Sequence, residues 1–290
     1  MPRLRPRTLL VVYRFISLPL VLVLWTNCAH GQAVPGNGEG ALPAGQALVD
    51  RALANELNAA QDHSHPMRYL LRKTSPRLTT TKEILETEDG DVARLIAVSD
   101  QPLSPAAAVN EETRLGELLD DPGKQRRRKQ SEDEDARRVL EIVHSLPGAF
   151  LYQDAGPGEG PTGKVEKFTF RPNPAFSPSD LVTQVLPGIA GEIWIDPAHI
   201  RVVRLEGHVQ QDVNFGWGIL GRLNRGGWIV IEQAEVGEGQ WRIVRFQMQM
   251  TARVVWKTRI FDTTEEETHY VPLPVGMGCK EAIELLLSSK

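Results

Sequence analysis

The amino-acid sequence predicts an α+β fold: a long, curved antiparallel sheet, an unclosed barrel, whose concave apolar face is covered by helices. Residues 200–215 and 240–261 alternate apolar and polar side chains with the period of a β-strand. Strands of this length twist and coil, so the sheet that they form becomes concave. Residues 46–61 and 280–287 show the 3.6-residue period of amphipathic helices. Such helices are suited to cover the apolar face of the sheet.

A helix and three short strands open the predicted domain. The helix spans residues 46–61, and the strands span residues 67–74, 78–87 and 91–99. The second and third strands are expected to pair across Asp89-Gly90, because an Asp-Gly pair readily adopts the backbone angles of a tight hairpin turn.

Residues 102–145 are predicted to form a helical insertion. A short helical pattern covers residues 110–119, and Ser131 with Glu134 fits the capping box that starts a second helix. The basic run at residues 124–129 is expected to be a solvated loop, neutralised by the acidic residues that follow it. An anionic-surface patch is the alternative interpretation of this run.

Residues 158–165 read GEGPTGKV, which has the spacing of a phosphate-binding loop up to the lysine. Val165 stands where that motif needs a serine or threonine, and residues 164–171 alternate like a strand instead of opening a helix. The glycine-rich residues 156–161 are typical of a mobile linker. The sequence therefore predicts that no nucleotide is bound here.

The rest of the chain is predicted to be mostly strands. A short helix is expected at residues 178–186, and the strands are expected at residues 149–153, 164–171, 191–196, 200–215, 228–236, 240–261 and 268–271. Trp241 and Ile243 break the alternation of the longest strand, which predicts a bulge near Ile243.

The start of the chain predicts export. Arg3, Arg5 and Arg7 precede a mostly apolar stretch, and small residues then offer cleavage sites, so residues 1–33 are expected to be a signal peptide. A flexible leader at residues 34–45 and one domain at residues 46–290 are expected to follow. The mature protein would be periplasmic or secreted.

Two alternatives concern membrane attachment. The apolar stretch could be retained as an anchor, since its length is near the lower limit for spanning a bilayer. Cys28 could carry a lipid, although the three residues before it, Trp25-Thr26-Asn27, fit the lipoprotein pattern poorly.

Charge and cysteine content exclude some classes of function. The chain has 33 basic and 37 acidic residues, and residues 1–33 hold four arginines and no acid, so cleavage would leave 29 against 37, a net charge of −8. An acidic exported domain is a poor candidate for nucleic-acid binding. Only Cys279 would remain after cleavage, so no intrachain disulfide is expected and the fold must rely on its core.

The sequence offers no catalytic motif. His63 and His65 could point the same way on an extended chain and share a metal, but no further ligands are visible and a polar connection is the favoured interpretation. None of the common hydrolase, metalloprotease or zinc-cysteine motifs occurs. No catalytic residue, metal or cofactor is therefore predicted.

An apolar stripe on the long strands provides candidate ligand-binding residues. In an exported chain, such a stripe could line a pocket for an apolar molecule, because methionine adapts to varied ligands, or it could be ordinary core. The candidates are Val203, Leu205, Phe246, Met248, Met250 and Trp256.

The order of elements resembles the periplasmic lipoprotein-carrier superfamily, which includes LolA, LolB and RseB-like proteins. The local likeness lies in residues 191–197, GEIWIDP, followed by residues 201–206, RVVRLE, which are similar to the hairpin of that family. The resemblance implies an unclosed barrel that holds acyl chains on its concave face. Residues 102–144 and 156–163 depart from the family pattern.

The sequence thus predicts a non-catalytic envelope protein that binds or carries a lipid or lipoprotein acyl chain, with an envelope protein as a possible partner. Two alternatives stay open: an envelope hydrolase whose site is built from scattered residues, and a purely structural envelope domain.

Overall fold

The computed structural model describes residues 44–216, 221–254 and 256–288. The predicted signal peptide, Cys28 and most of the predicted leader lie outside these residues. The helices are α1 (Ala44–Gln61), α2 (Pro105–Asp120), α3 (Pro122–Ala149), a 3₁₀-helix (Thr183–Gly188) and α4 (Cys279–Ser288). The strands are β1 (Met67–Thr74), β2 (Thr79–Leu85), β3 (Val92–Val98), β4 (Gln101–Pro102), β5 (Phe150–Gly160), β6 (Gly163–Pro172), β7 (Ile189–Asp196), β8 (Arg201–Val209), β9 (Val213–Phe215), β10 (Gly221–Leu223), β11 (Trp228–Glu235), β12 (Trp241–Val254) and β13 (Lys257–Pro272).

The described strands form one antiparallel sheet of 13 strands. Its order is β4-β3-β2-β1-β13-β12-β11-β8-β7-β6-β5, while β10 pairs with β12 and with β9. Because β4 and β5 lie at opposite ends of this order, the sheet is not closed into a barrel. The predicted fold class, a long antiparallel sheet with helices against it, is confirmed.

The hairpin predicted at Asp89-Gly90 is present between β2 and β3. Gly90 has a φ of +97°, a conformation that glycine adopts without steric cost. The Thr87 hydroxyl lies 2.5 Å from the Gly90 carbonyl, to which it donates a hydrogen bond.

The glycine-rich segment before Lys164 is a strand, so the expected mobile linker is wrong. β5 continues to Gly160, and it pairs with β6 down to the Gly160–Gly163 pair at the turn. Gly163 takes a φ of +120° there. The glycines therefore serve a tight hairpin, and the strand predicted after them is confirmed as β6.

Two predicted long strands are interrupted. The segment 200–215 breaks after Val209 into β8 and β9, and the segment 240–261 turns back on itself as β12 and β13. The sequence around the second turn contains no glycine, proline or asparagine, so nothing in it marked the reversal. Trp256 consequently lies beyond the end of β12 instead of continuing its stripe.

The insertion consists of two consecutive helices, and α3 begins earlier than predicted. Asp121 caps α3, its side chain accepting a hydrogen bond from the Lys124 amide at 2.9 Å, and Pro122 occupies the first helical position. The helix then runs through the basic and acidic runs, which pair at i,i+4, as in Lys129 with Asp133 at 2.6 Å. The expected loop and the cap at Ser131 are therefore wrong.

Bulges decide which side chains face the helices. The bulge predicted near Ile243 is confirmed, because the β11–β12 register shifts there. A second bulge in β8, with Val203 as the extra residue, was not expected. Val203 packs with Val165 in a separate cluster, whereas Leu205 packs with the core beneath α1. The apolar–polar alternation of residues 200–215 had predicted that Val203 and Leu205 share one face of the sheet.

The helix-facing side of the sheet can be followed from strand to strand. It runs in register through Phe168, Ile193, Leu205, Ile231, Phe246, Glu265 and Lys73. The row is apolar from β6 to β12 and becomes charged at β13 and β1. The change of character divides this side of the sheet into two halves.

The apolar half is filled by α1 and by the C-terminal end of α3. Val49 and Leu53 of α1 lie one helical turn apart and are buried against β7 and β8. Phe150 and Phe170 pack with their ring centroids 4.7 Å apart. Arg201 of β8 holds α1 in place by two hydrogen bonds to the Glu56 carboxylate, at 2.8 and 2.9 Å.

The terminal helix α4 closes the other end of the molecule. Its apolar stripe, which includes Ile283 and Leu286, packs against Leu115 of α2 and Leu85 of β2. The free Cys279 is buried in the same cluster. Within the described residues, no helix is both long enough and apolar enough to span a membrane.

Candidate functional site

A cavity of about 610 Å³ lies between the charged half of the sheet and helices α2 and α3. Its walls come from β1, β2, β3 and β13 on one side and from the two helices of the insertion on the other. The lining residues are Tyr69, Leu71, Lys82, Ile84, Asp91, Ala93, Leu95, Glu111, Arg114, Leu118, Arg128, Ser131, Glu132, Asp135, Glu265 and Glu267.

The sheet supplies an apolar floor to this cavity. Tyr69 and Leu71 alternate with outward residues on β1, so both side chains point to the helices, and Ile84 lies opposite Tyr69 on β2. Tyr69, Leu71 and Ile84 form one buried cluster against which Ala93 packs. The small Ala93 side chain leaves room above the floor at β3.

Glu111 and Arg114 connect α2, on the helical side of the cavity, to strand β3 by hydrogen bonds. The Glu111 carboxylate accepts the Leu95 amide of β3 at 2.7 Å and two hydrogen bonds from Arg114 at 2.7 Å. Burial raises the pKa of Glu111, but the Arg114 and Leu95 hydrogen bonds outweigh burial and hold it below its usual value. Arg114 also donates to the Ala93 carbonyl at 2.6 Å.

Helix α3 contributes a less tightly bonded set of charges. The Glu132 carboxylate accepts the Asp91 amide at 3.1 Å and lies 3.5 Å from Arg128. The Arg128 guanidinium also lies 3.5 Å from the Gly90 carbonyl and 3.5 Å from Sγ of Cys279. Within the described residues, Nε of Arg128 is buried without a hydrogen-bond partner. Burial raises the pKa of Glu132 although Arg128 opposes this. Burial also raises the pKa of Asp135, which pairs with Arg138 at 2.6 Å.

Glu267 is a strongly perturbed acid in the wall of the cavity. Burial raises its pKa well above the usual value, the Tyr270 hydrogen bond opposes this, and the charges of Glu265 and Glu86 raise the pKa further. Within the described residues, its Oε1 has no hydrogen-bond partner. Glu265 lies beside it and pairs with Lys73 at 2.7 Å.

The Tyr270 hydroxyl contacts two acceptors but carries one proton. It lies within hydrogen-bond distance of Oε2 of Glu267 and 2.9 Å from the Ile243 carbonyl. When the hydroxyl donates to the carbonyl, only a protonated Glu267 can complete the other hydrogen bond. This arrangement, in which the hydroxyl donates to the carbonyl, agrees in direction with the raised pKa of Glu267.

Phe246, Met248 and Met250, which the sequence selected, lie together beside this cavity. Phe246 and Met248 are 1% and 7% exposed in a cluster with Ile243, and Met250 packs against it. Phe246 pairs directly with the cavity residue Glu265 across β12 and β13. The cluster therefore adjoins the cavity without lining it.

The other three candidates lie elsewhere. Val203 and Leu205 are separated by the bulge in β8. Trp256 is 78% exposed at the end of the β12–β13 hairpin. The structure thus does not bring the six candidates to one surface.

Sequence reasoning missed the cavity residues because they come from the short strands and the insertion. Tyr69 and Leu71 lie two residues apart, but Leu70 between them is also apolar, so the period-two pattern did not show which of these side chains share a face. The buried acids Glu265 and Glu267 carried no signal either, since charged residues are normally predicted to be solvated.

Within the described residues, no group of three or more histidine, cysteine, aspartate or glutamate side chains is arranged to hold an ion. His65 interacts locally instead, with its Nδ1 lying 2.8 Å from the Ser64 hydroxyl.

No protein-family model and no curated protein sequence matches the chain. Among solved structures, the chain is similar to a domain from Vibrio parahaemolyticus assigned to outer membrane lipoprotein sorting, with 9% identity, a TM-score of 0.34 and coverage of 82% of this chain and 99% of that one. It is also similar to a LolA superfamily protein from Nitrosomonas europaea, with 7% identity, a TM-score of 0.27 and coverage of 79% and 94%. The chain is similar as well to a DUF1329 family protein from Desulfovibrio piger, with 11% identity, a TM-score of 0.26 and coverage of 80% of this chain and 94% of that one. Two of these three structures bear names from the lipoprotein-carrier superfamily.

Proposed function

We propose that the protein binds an amphipathic molecule with an acyl chain, a lipid or the acylated part of a lipoprotein, in the cavity beneath α2 and α3, and carries it without changing it chemically. The observation that supports this is the space itself, about 610 Å³ between two layers that pack closely in the other half of the molecule. Small-molecule sites typically enclose about 300–1,000 Å³.

The floor of the cavity suits a hydrocarbon chain. Tyr69, Leu71, Ile84 and Leu95 present apolar surface to the cavity. Each methylene group transferred from water to such a surface contributes about 0.8 kcal/mol. A chain of several methylene groups would therefore bind without any specific polar contact.

The remaining wall suits the polar end of the same molecule. Arg128 has an unused donor, and a protonated Glu267 offers a carboxyl group whose Oε1 has no hydrogen-bond partner among the described residues. Buried polar groups without partners are costly, so a ligand that supplies hydrogen bonds to them is favoured. We assign the polar end of the ligand to this part of the cavity.

The methionines of the apolar stripe predicted from the sequence lie where they could contact the far end of the ligand. Met248 and Met250 lie in the cluster that adjoins the cavity at Phe246 and Glu265. Because methionine is flexible and fills irregular gaps, these side chains are suited to repack around the end of a long chain. That the ligand contacts Val203, Leu205 or Trp256 stays a prediction from the sequence.

The proposed site of action is the cell envelope. The basic and apolar start of the chain predicts export, with removal of about the first 31–33 residues. Sequencing the N-terminus of protein recovered from the envelope tests this. A chain that still begins at Met1 contradicts it, and one that begins at an acylated Cys28 establishes a lipoprotein.

Ligand binding in the cavity is tested by a substitution that fills the space with a larger side chain. We expect the uncharged dye N-phenyl-1-naphthylamine to fluoresce on binding the parent protein and to be displaced by hexadecanoate. Ala93→Phe places a ring over the floor and should weaken both ligands by at least about tenfold, the equivalent of roughly two fewer buried methylene groups.

Ala97→Phe is the matched control for this experiment. Ala97 lies on the same strand, but it pairs with Thr81 beyond the β2–β3 register shift and does not line the cavity. It should bind the dye like the parent. Equal loss in both variants, or no displacement by hexadecanoate in the parent, contradicts the proposal. Release of a free acid from an ester ligand would favour the hydrolase alternative.

A further inference from the structure

The end of the β12–β13 hairpin exposes two large apolar side chains. Trp256 is 78% exposed and Ile260 is 74% exposed. Both are far more exposed than the residues of the adjoining cluster, and neither belongs to a described core cluster. Tryptophan combines a large apolar ring with an N–H donor, and it is enriched where an apolar phase meets water.

Positive charge surrounds this end of the hairpin on both faces. Arg253 of β12 lies directly opposite Arg222 of β10, so like charges face each other on one side of the sheet. Lys257 and Arg259 of β13 lie opposite Val254 and Ala252, on the other side. All four basic side chains are exposed.

These charges are largely uncompensated within the part of the chain that the structure describes. Arg222 pairs with Asp212 at 3.3 Å, whereas Arg253, Lys257 and Arg259 form no ion pair with a described residue. The whole chain is acidic, with a net charge of −4. A local excess of basic residues at one end of an acidic protein orients that end towards an anionic partner.

We propose that this end of the hairpin docks on the surface of a membrane that contains anionic phospholipid. The apex residue Trp256 would enter the headgroup region, and the four basic residues on both faces would contact lipid phosphates around it. A flat surface met end-on can reach both faces of a hairpin at once. An aromatic side chain surrounded by lysine and arginine is the composition that binds such interfaces.

The test is co-sedimentation of residues 34–290, which contain every described element of the fold, with vesicles of phosphatidylcholine alone or mixed with phosphatidylglycerol. The apolar residues 8–25 are omitted because they could bind lipid by themselves. We expect binding only to the mixed vesicles, and we expect it to weaken as salt is added. Lys257→Glu with Arg259→Glu should weaken it by at least about tenfold.

The matched control reverses two charges in another exposed basic segment. Arg126 and Arg127 lie in the basic run of α3, which the sequence left open as an alternative anionic surface. Arg126→Glu with Arg127→Glu changes the net charge equally and should bind like the parent. An equal loss of binding in this control, or equal binding to both kinds of vesicle, overturns the proposal.

Trp256 is tested separately by its fluorescence. Vesicles that carry brominated acyl chains should quench part of the parent emission. Trp256→Leu keeps an apolar apex, so it should still sediment with the vesicles but lose this quenching. Quenching that persists in Trp256→Leu would show that another tryptophan meets the membrane and would overturn the assignment. Melting curves of each variant check that the fold is retained.

Discussion

The two halves of the helix-facing side of the sheet differ in how closely the helices pack against them. Under α1 and the end of α3, the side chains of β5–β8 interdigitate with Val49, Leu53 and Ala149 in one continuous cluster. Under α2 and α3, the layers are held apart and a cavity of about 610 Å³ remains. The first half has the close packing of a protein interior, whereas the second gives up part of that packing.

The treatment of charged groups shows why the halves differ. In the filled half, the Glu56 carboxylate accepts hydrogen bonds from Arg201, from the Val202 amide and from Gln233. Most of its capacity to accept hydrogen bonds is therefore used. In the hollow half, Arg128 and Glu267 each keep a buried polar atom without a hydrogen-bond partner among the described residues. Unpartnered groups of this kind lower stability, and such costs are concentrated at functional sites.

The same substitution in both halves should have different costs. Leu53→Ala removes a side chain from the filled core and should lower the free energy of unfolding by about 3–5 kcal/mol. Leu71→Ala enlarges a space that already exists, so its cost should fall near 2 kcal/mol, mainly the loss of transfer free energy. Urea unfolding of both variants measures the difference. Equal costs would mean that the cavity closes in solution.

Met248→Ala tests the boundary between the halves. Met248 is buried with Ile243 and Phe246, so its truncation should cost about 2–5 kcal/mol. The void would lie beside Phe246, whose partner Glu265 lines the cavity, and we therefore expect the variant to prefer longer fatty acids than the parent does. Thermal melting and displacement by a series of fatty acids measure both effects. An unchanged chain-length preference would show that the ligand does not reach this cluster.

Glu267→Gln should change how stability depends on pH. The folded pKa of Glu267 is raised above the ordinary value of 4.5 by burial, so the folded state holds the proton more tightly than the unfolded state does. Stability should therefore fall as pH rises from about 4.5 towards the folded pKa. Glutamine cannot ionise, so the melting temperature of Glu267→Gln should fall less over this range. If the melting temperature of Glu267→Gln fell with pH as steeply as that of the parent, the raised pKa assigned to Glu267 would be contradicted.

Lys164→Ala should have the smallest effect. Lys164 lies beside the turn of the β5–β6 hairpin and pairs with Glu159 in the ladder, so it stands in a strand and not in a loop that opens a helix, as a phosphate-binding lysine does. We expect a stability change within about 0.5 kcal/mol, as at other surface positions. Isothermal titration with ATP should give no heat of binding for the parent or the variant. Tight ATP binding that this substitution abolishes would reverse the interpretation.

Part of the fold could be predicted because local patterns coincide with the elements. The stripe of Val49 and Leu53 predicts α1, and Asp89-Gly90 predicts the β2–β3 hairpin. The candidate site was predicted only in part. Phe246 and Met248 were expected to share one apolar face, and both are buried in one cluster, but the cavity itself is lined by residues of other strands and of the insertion.

The sequence alone determined the class of fold, the strand and helix periods, the bulge near Ile243 and the acidic balance of the chain. These properties depend on neighbours within a few residues, or on composition, and both can be read from a linear chain.

Only the tertiary structure decided where the sheet is filled and where it is hollow. Pairing β1 with β13 brings Lys73 and Leu71 beside Glu265 and Glu267, residues nearly 200 positions apart in the chain. The unmarked turn after Val254 likewise moved Trp256 from the predicted stripe to an exposed apex. Both outcomes depend on which strands meet and in what register, and a shift of one residue reverses the face of every side chain.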